Sequence, residues 1–120
     1  MKGGAAMTKR EIIEIVQAMD HNQDYRSYYQ FAHTYLRHMK NTGNTDAGTF
    51  WNVIRHCQAA AESRDTIQSK NTIQAMGSSG NGRPADIVRW CKYLLNNRYL
   101  ADAGTDDLLS IFGYCAHLGR

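Results

Sequence analysis

The tetrapeptide Asp-Ala-Gly-Thr occupies residues 46–49 and recurs at residues 102–105, each time after a segment with helical periodicity. Glycine permits a tight bend, and aspartate and threonine cap helix starts. Each copy is therefore predicted to be a turn that joins two helices. Tyr35-Leu36 before the first copy is echoed by Tyr93-Leu94 before the second. This echo favours two helical hairpins related by an approximate internal repeat, together with an N-terminal helix.

Apolar residues recur at helical spacing in five segments, which predicts an all-α bundle of about five helices. Thr8 and Glu11 have the spacing of a capping box, Asp24 is a candidate N-cap for the second helix, and Thr105 is one for the last. Pro84 lies where the fourth helix is expected to begin, because proline is tolerated in a first helical turn. The predicted helices cover about residues 9–20, 25–40, 47–62, 84–98 and 106–118.

The length of 120 residues predicts a single helical domain at residues 8–120, preceded by a flexible leader at residues 1–7. Glycine and serine between residues 77 and 83 predict a second flexible segment, whereas residues 62–76 have no decisive helical pattern. No apolar run approaches the roughly 18 residues of a membrane span, and no signal peptide is recognisable. These features predict a cytoplasmic protein that does not enter a membrane.

The three cysteines are Cys57, Cys91 and Cys115, and each lies among apolar residues. Their odd number and wide spacing predict buried free thiols in a reducing compartment. His56 and His117 lie next to or near cysteines, but neither pair has the spacing of a zinc chelate. The sequence thus predicts no metal site and no cofactor.

The net charge of +3 permits a polyanionic partner, and the basic residues follow a pattern. Five polar residues of the second helix fall within an arc of roughly 80°, since successive residues are about 100° apart. They are Arg26, Gln30, His33, Arg37 and Lys40. Arg89 and Lys92 share a face of the fourth helix, and Arg83 precedes it.

If these two helices lie side by side, their cations form a continuous ridge that neutralises phosphates with little sequence preference. Tyr29 is then available to stack on single-stranded bases. The same pattern also fits two helix faces that long cationic side chains simply keep in water. Tyrosine needs a partner for its hydroxyl when buried, so some tyrosines of the second helix are expected at a rim or interface: Tyr25, Tyr28, Tyr29 and Tyr35.

The segment from Arg26 to His33 resembles the Arg-x4-6-His motif of HEPN-class ribonucleases. The resemblance covers eight residues. It implies that His33 performs acid–base chemistry and that Arg26 stabilises phosphate charge. The residue after the arginine is Ser27, and the motif lies early in the chain, so this sequence departs from the family pattern in both respects.

Taken together, these patterns predict a non-enzymatic binding or assembly subunit that contacts RNA or single-stranded DNA. The predicted contact residues are Arg26, His33, Arg37, Lys40, Arg83, Arg89 and Lys92. Small basic helical subunits of ribonucleoprotein machines, CRISPR effector complexes among them, share this size and charge, so partner subunits or a homo-oligomer are expected. The alternatives are a protein-interaction module of phage or plasmid type that docks through exposed tyrosines, and a HEPN-like ribonuclease.

Overall fold

The computed structural model describes residues 7–22, 25–63 and 84–118. Most of these residues are helical, and no β-strand occurs within the described ranges. The predicted all-α bundle of about five helices is confirmed. The described helices are α1 (Lys9–Ala18), α2 (Arg26–Asn41), α3 (Ala47–Glu62), α4 (Pro84–Leu95), α5 (Arg98–Ala101) and α6 (Thr105–Leu118).

Helix α1 begins with the predicted capping box. The Glu11 N–H donates to Thr8 Oγ1 at 3.1 Å, and the Thr8 N–H donates to Glu11 Oε1 at 2.8 Å. Two backbone donors that the helix itself leaves without partners are thereby satisfied, which stabilises a helix start by about 1 kcal/mol. Ile12 and Val16, one turn apart, are buried and hold α1 against the body of the protein.

The prediction that one helix continues to about residue 98 is wrong. Helix α4 ends at Leu95, and a separate short helix, α5, begins at Arg98. The Asn97 side chain accepts a hydrogen bond from the Tyr99 N–H at 3.0 Å and caps α5. Short amide side chains compete with the helical hydrogen-bond pattern in this way. The pair Asn96-Asn97 therefore breaks a helix that the apolar periodicity alone would continue.

The two copies of Asp-Ala-Gly-Thr both lie at helix starts, but in different registers. Asp46 caps α3 by accepting from the Gly48 N–H at 2.9 Å, so Gly48 lies inside the helix and does not form the bend. The bend is made by Gly43, whose φ of 79° suits glycine. In the second copy, Thr105 is the first helical residue and not the cap. The carbonyl of Gly104 accepts the first helical bond, from Leu108 N–H at 2.9 Å.

The most extensive helix packing joins α2 to α6 and α3 to α4, and α1 lies on α6. This arrangement differs from the predicted hairpins, in which α2 would pair with α3 and α4 with the last helix. Contacts near opposite ends show that α2 and α6 are antiparallel: Lys40 pairs with Asp106, and His33 contacts Gly113. The chain thus brings its second and last described helices together.

Aromatic side chains explain this packing. The Trp90 ring lies 5.6 Å from the Tyr28 ring and 5.7 Å from the Tyr29 ring. The Phe112 ring lies 6.0 Å from Tyr29 and 5.5 Å from Phe50. All five side chains are almost completely buried, so they connect α2, α3, α4 and α6 through one apolar centre.

Some of the four tyrosines at and near the start of α2 were expected at a rim, and one of them has such a position. Tyr25, Tyr28 and Tyr29 are buried, and only Tyr35 is half-buried. The Tyr29 hydroxyl donates to the Asp20 carbonyl at 2.7 Å, which satisfies its polar group inside the protein. Tyr29 is therefore not available to stack on a base.

Several predictions concern residues outside the described ranges: most of the leader at residues 1–7, the cap at Asp24, nearly all of residues 62–76, and the segment 77–83. The structure does show that α3 ends at Glu62, the first residue of the uncertain stretch. None of the described helices is long and apolar enough to cross a lipid bilayer.

Candidate nucleic-acid interface

Helix α2 carries Arg26, Arg37 and Lys40, together with His33 and His38, and none of its sixteen residues is aspartate or glutamate. Its buried side faces the aromatic centre through Tyr28, Ala32, Leu36 and Met39, and this spacing sends the polar residues outward. An entire helix without a carboxylate presents only positive or neutral groups to solvent. Such a surface attracts polyanions.

The cations of α2 differ in how accessible they are. Arg37 is exposed and has no carboxylate within ion-pair distance among the described residues. Lys40 is also exposed. Arg26 is half-buried, and its Nε atom is buried without a hydrogen-bond partner, so only its outer nitrogens can reach a ligand. Arg37 and Lys40 are thus the freest cations of the predicted set on this helix.

Lys40 Nζ lies 3.6 Å from Asp106 Oδ1, at the start of α6. Both side chains remain largely exposed, at 61% for Lys40 and 79% for Asp106. An ion pair this exposed is screened by water and contributes little stability. Lys40 therefore remains available to exchange this carboxylate for a phosphate.

His33 lies against α6 at Gly113. A Cβ atom at position 113 would approach His33 Cδ2 and Nε2 to 3.2 Å, closer than side chains ordinarily pack. Burial lowers the pKa of His33, and the charges of Arg37 and His117 lower it further. His33 is therefore mostly neutral at pH 7, between an arginine on its own helix and a histidine on the next.

Of the predicted cations of α4, Arg89 interacts with the side chain of Tyr25, the residue directly before α2. Arg89 Nη1 is 3.6 Å from Asp86 Oδ1, one turn earlier on the same helix, and Lys92 is exposed. Arg83 lies outside the described residues. Because α2 packs most extensively on α6 and α4 on α3, α2 and α4 meet through the aromatic centre and not by the extended packing that a continuous ridge requires.

The structure thus brings together three of the predicted residues, His33, Arg37 and Lys40, along the α2–α6 boundary. It adds His117, whose electrostatic effect on His33 depends on the packing of two helices distant in sequence. The only sequence signal for this contact is Gly113, a glycine inside an apolar helix where alanine is intrinsically preferred. Arg26, the partner of His33 in the HEPN-like motif, is not among the groups that perturb the imidazole.

A second surface feature is a groove of about 540 Å³ between α1 and α5. Tyr99 is 67% exposed beside it, the most exposed large apolar side chain of the described residues. Three of the lining residues are carboxylates and one is an arginine. The lining consists of Met7, Glu11, Glu14, Ile15, Ala18, Arg98, Tyr99 and Asp102.

The three cysteine thiols are less accessible to solvent than the cations of α2. All three are free thiols; Cys91 and Cys115 are buried, and Cys57 is half-buried. Burial raises the pKa of Cys91 and that of Cys115 to about 12, so neither forms a thiolate near neutral pH. Among the described residues, no group of three or more histidine, cysteine or acidic side chains is arranged to hold a metal ion.

No protein-family model matches this chain, and neither a curated protein nor a solved structure shows significant similarity to it.

Proposed function

We propose that the protein is a binding or assembly subunit that contacts RNA or single-stranded DNA through α2, without catalysis of its own, inside a ribonucleoprotein complex. The observation that carries this proposal is the charge of α2: three cations, two histidines and no carboxylate in sixteen residues. Arg37 and Lys40 supply the strongest part of this surface because they are exposed.

The physical basis is the release of counterions from a nucleic-acid backbone when cationic side chains replace them. Such contacts position a chain but read no sequence, so weak sequence preference is expected. Binding rests on charge and on the two histidines, since the tyrosines that face the centre of the protein cannot stack on bases. Affinity should therefore fall steeply as salt rises.

The test is fluorescence anisotropy with labelled single-stranded RNA and DNA at about 50 and 200 mM salt. We expect wild-type binding to both, and loss of at least about tenfold in affinity when Arg37→Glu and Lys40→Glu are combined. The matched control combines Lys9→Glu and Arg10→Glu, two exposed cations at the start of α1. Both double variants change the net charge by the same amount, so equal losses would refute a role for α2.

The groove between α1 and α5 supports a second candidate function, a protein-interaction module. Its lining offers apolar contact at Met7, Ile15 and Ala18, and its carboxylates outnumber its single arginine. An exposed tyrosine in a groove with carboxylates suits a cationic side chain, which gains from both the charge and the ring face. The occupant we propose is a lysine- or arginine-bearing segment of a partner protein.

This second function predicts binding of a fluorescent peptide that alternates lysine and leucine. Glu14→Lys should abolish binding, because it places a cation among the groove carboxylates, whereas Glu62→Lys at the end of α3 should not. No binding of the peptide by the wild type, or equal loss in the two variants, would contradict this function. The outcome does not bear on the α2 surface, which lies on another helix.

A further inference from the structure

We propose that His33, Arg37 and His117 form a phosphodiester-binding site over Gly113, and that this site takes up a proton when nucleic acid binds. The inference rests on the proposed function, because the phosphodiester is that of the bound nucleic acid. It adds a definite location, a residue from a second helix and a dependence on pH.

The location follows from the glycine. A glycine inside a helix costs about 0.5–1 kcal/mol relative to alanine, so its presence in α6 calls for a packing reason. The reason is the imidazole of His33, whose Cδ2 and Nε2 atoms lie 3.2 Å from where a Cβ at position 113 would stand, tighter than ordinary packing. The absence of a side chain at Gly113 thus allows the His33 ring to pack closely against α6.

His117 lies one turn after Gly113 on the same face of α6, and Arg37 lies one turn after His33 on α2. These two groups are the charges that act on the His33 imidazole. The exposed carboxylate of Asp106 lies two turns before Gly113, and its Oδ1 is 3.6 Å from Lys40 Nζ. The site therefore combines one permanent cation with two histidines, a suitable donor set for a phosphate oxygen.

The direction of proton linkage follows from these charges. In the free protein, burial and the neighbouring Arg37 and His117 lower the pKa of His33, so the ring is largely neutral. A phosphate bound beside His33 favours the protonated, cationic imidazole and therefore raises the pKa that burial and the neighbouring charges lower. Because linkage is reciprocal, a ligand that promotes protonation binds more tightly when protons are abundant. Affinity should rise about threefold to tenfold between pH 8 and pH 6.

Replacing Gly113 by alanine tests the geometry without changing any charge. Alanine favours the helix, but its Cβ forces the His33 ring to move by a few tenths of an ångström. We expect Gly113→Ala to remain folded and to lose most of the additional affinity gained at pH 6. His117→Gln should have the same effect, whereas His56→Gln, an exposed histidine on α3, should not.

The decisive readout is an NMR titration of the histidine ring signals with pH, in the presence and absence of a short oligouridylate. Binding should raise the pKa of His33, and it should move the ring signals of His117 but not those of His56. Inorganic phosphate at the same phosphate concentration should produce a much smaller shift, because it lacks the neighbouring contacts on α2. An equal shift with inorganic phosphate would assign the site to free phosphate and overturn the inference.

The remaining outcomes separate this inference from the proposed function. Salt-dependent binding of oligouridylate without any change at His33 and His117 would overturn the inference and leave the α2 surface intact. Absence of binding at any pH would overturn both. Wild-type behaviour of Gly113→Ala at both pH values would show that the position of the ring does not matter, and would also overturn the inference.

Discussion

Lys40 Nζ lies 3.6 Å from Asp106 Oδ1, and both side chains are largely exposed to solvent. This pair joins the last turn of α2 to the first turn of α6 and marks one end of the cationic boundary. Since exposed ion pairs contribute only about 0–1 kcal/mol, its main effect is on what Lys40 can bind. Asp106 is a local competitor for the phosphate that we propose for this surface.

Replacing Asp106 by asparagine should therefore increase affinity for single-stranded RNA by about two- to fourfold. The unfolding free energy should fall by about 0.3–1 kcal/mol, because an acid is lost from the positive end of α6. Anisotropy titrations and urea unfolding measure the two effects. Asp102→Asn, which removes an exposed acid beside the α1–α5 groove, is the control. An equal gain in this control would show that net charge, and not the Lys40 contact, is responsible.

The stability of the protein should fall as the pH decreases through the range in which histidines titrate. The pKa of His33 is lowered in the native state, so the unfolded chain binds more protons than the native protein near and below about pH 6.5. This contribution to stability is complete above the unfolded-state pKa and is lost as pH falls. Urea unfolding at about pH 7.5 and 5.5 should show a smaller pH effect in His33→Gln. If His33→Gln showed the same change in unfolding free energy with pH as the wild type, His33 would be excluded as a cause of the pH dependence.

Thiol reactivity should follow burial. A disulfide reagent at about pH 8 should modify Cys57 first. Burial raises the pKa of all three thiols, but Cys57 is only half-buried, whereas Cys91 and Cys115 are buried and the pKa of each is raised to about 12. All three should react in urea. Cys57→Ser should remove the reaction of the native protein. Rapid native modification of two or more thiols would contradict the packing of α4 and α6.

The aromatic centre should account for a large share of the stability. Trp90→Ala removes a completely buried ring that contacts Tyr28 and Tyr29, and should cost about 3–5 kcal/mol. Tyr99→Ala truncates an exposed ring and should change the unfolding free energy by less than about 0.5 kcal/mol. Chemical denaturation measures both. Similar values for the two variants would mean that Trp90 is not at the centre of the core.

The sequence predicted the helices well where the signals are local. Helix α3 begins and ends where its apolar spacing and the Asp46 cap indicate, and the capping box at Thr8 starts α1. The break at Asn96-Asn97 was missed because the apolar spacing continues across it. The bend before α3 lies at Gly43, outside the repeated tetrapeptide that was predicted to form it.

The partners of each helix could not be predicted, because periodicity identifies a buried face but not what covers it. The tyrosines of α2 illustrate this limit, since their hydroxyls suggested a rim and most of the rings are inside. The same limit applies to the candidate site. The spacing of the cations on α2 identifies them in the sequence. It does not identify His117 as a neighbour of His33, because their proximity arises from the packing of α2 on α6.

The most direct test of nucleic-acid binding through α2 is the salt dependence of affinity for single-stranded RNA. Each phosphate contact contributes about 0.7 to the slope of log affinity against log salt. Combining Arg37→Ala with Lys40→Ala should therefore reduce the slope by about 1.4, while Lys9→Ala with Arg10→Ala leaves it unchanged. An unchanged slope in the α2 variant, or an equal reduction in the α1 variant, would contradict the proposal.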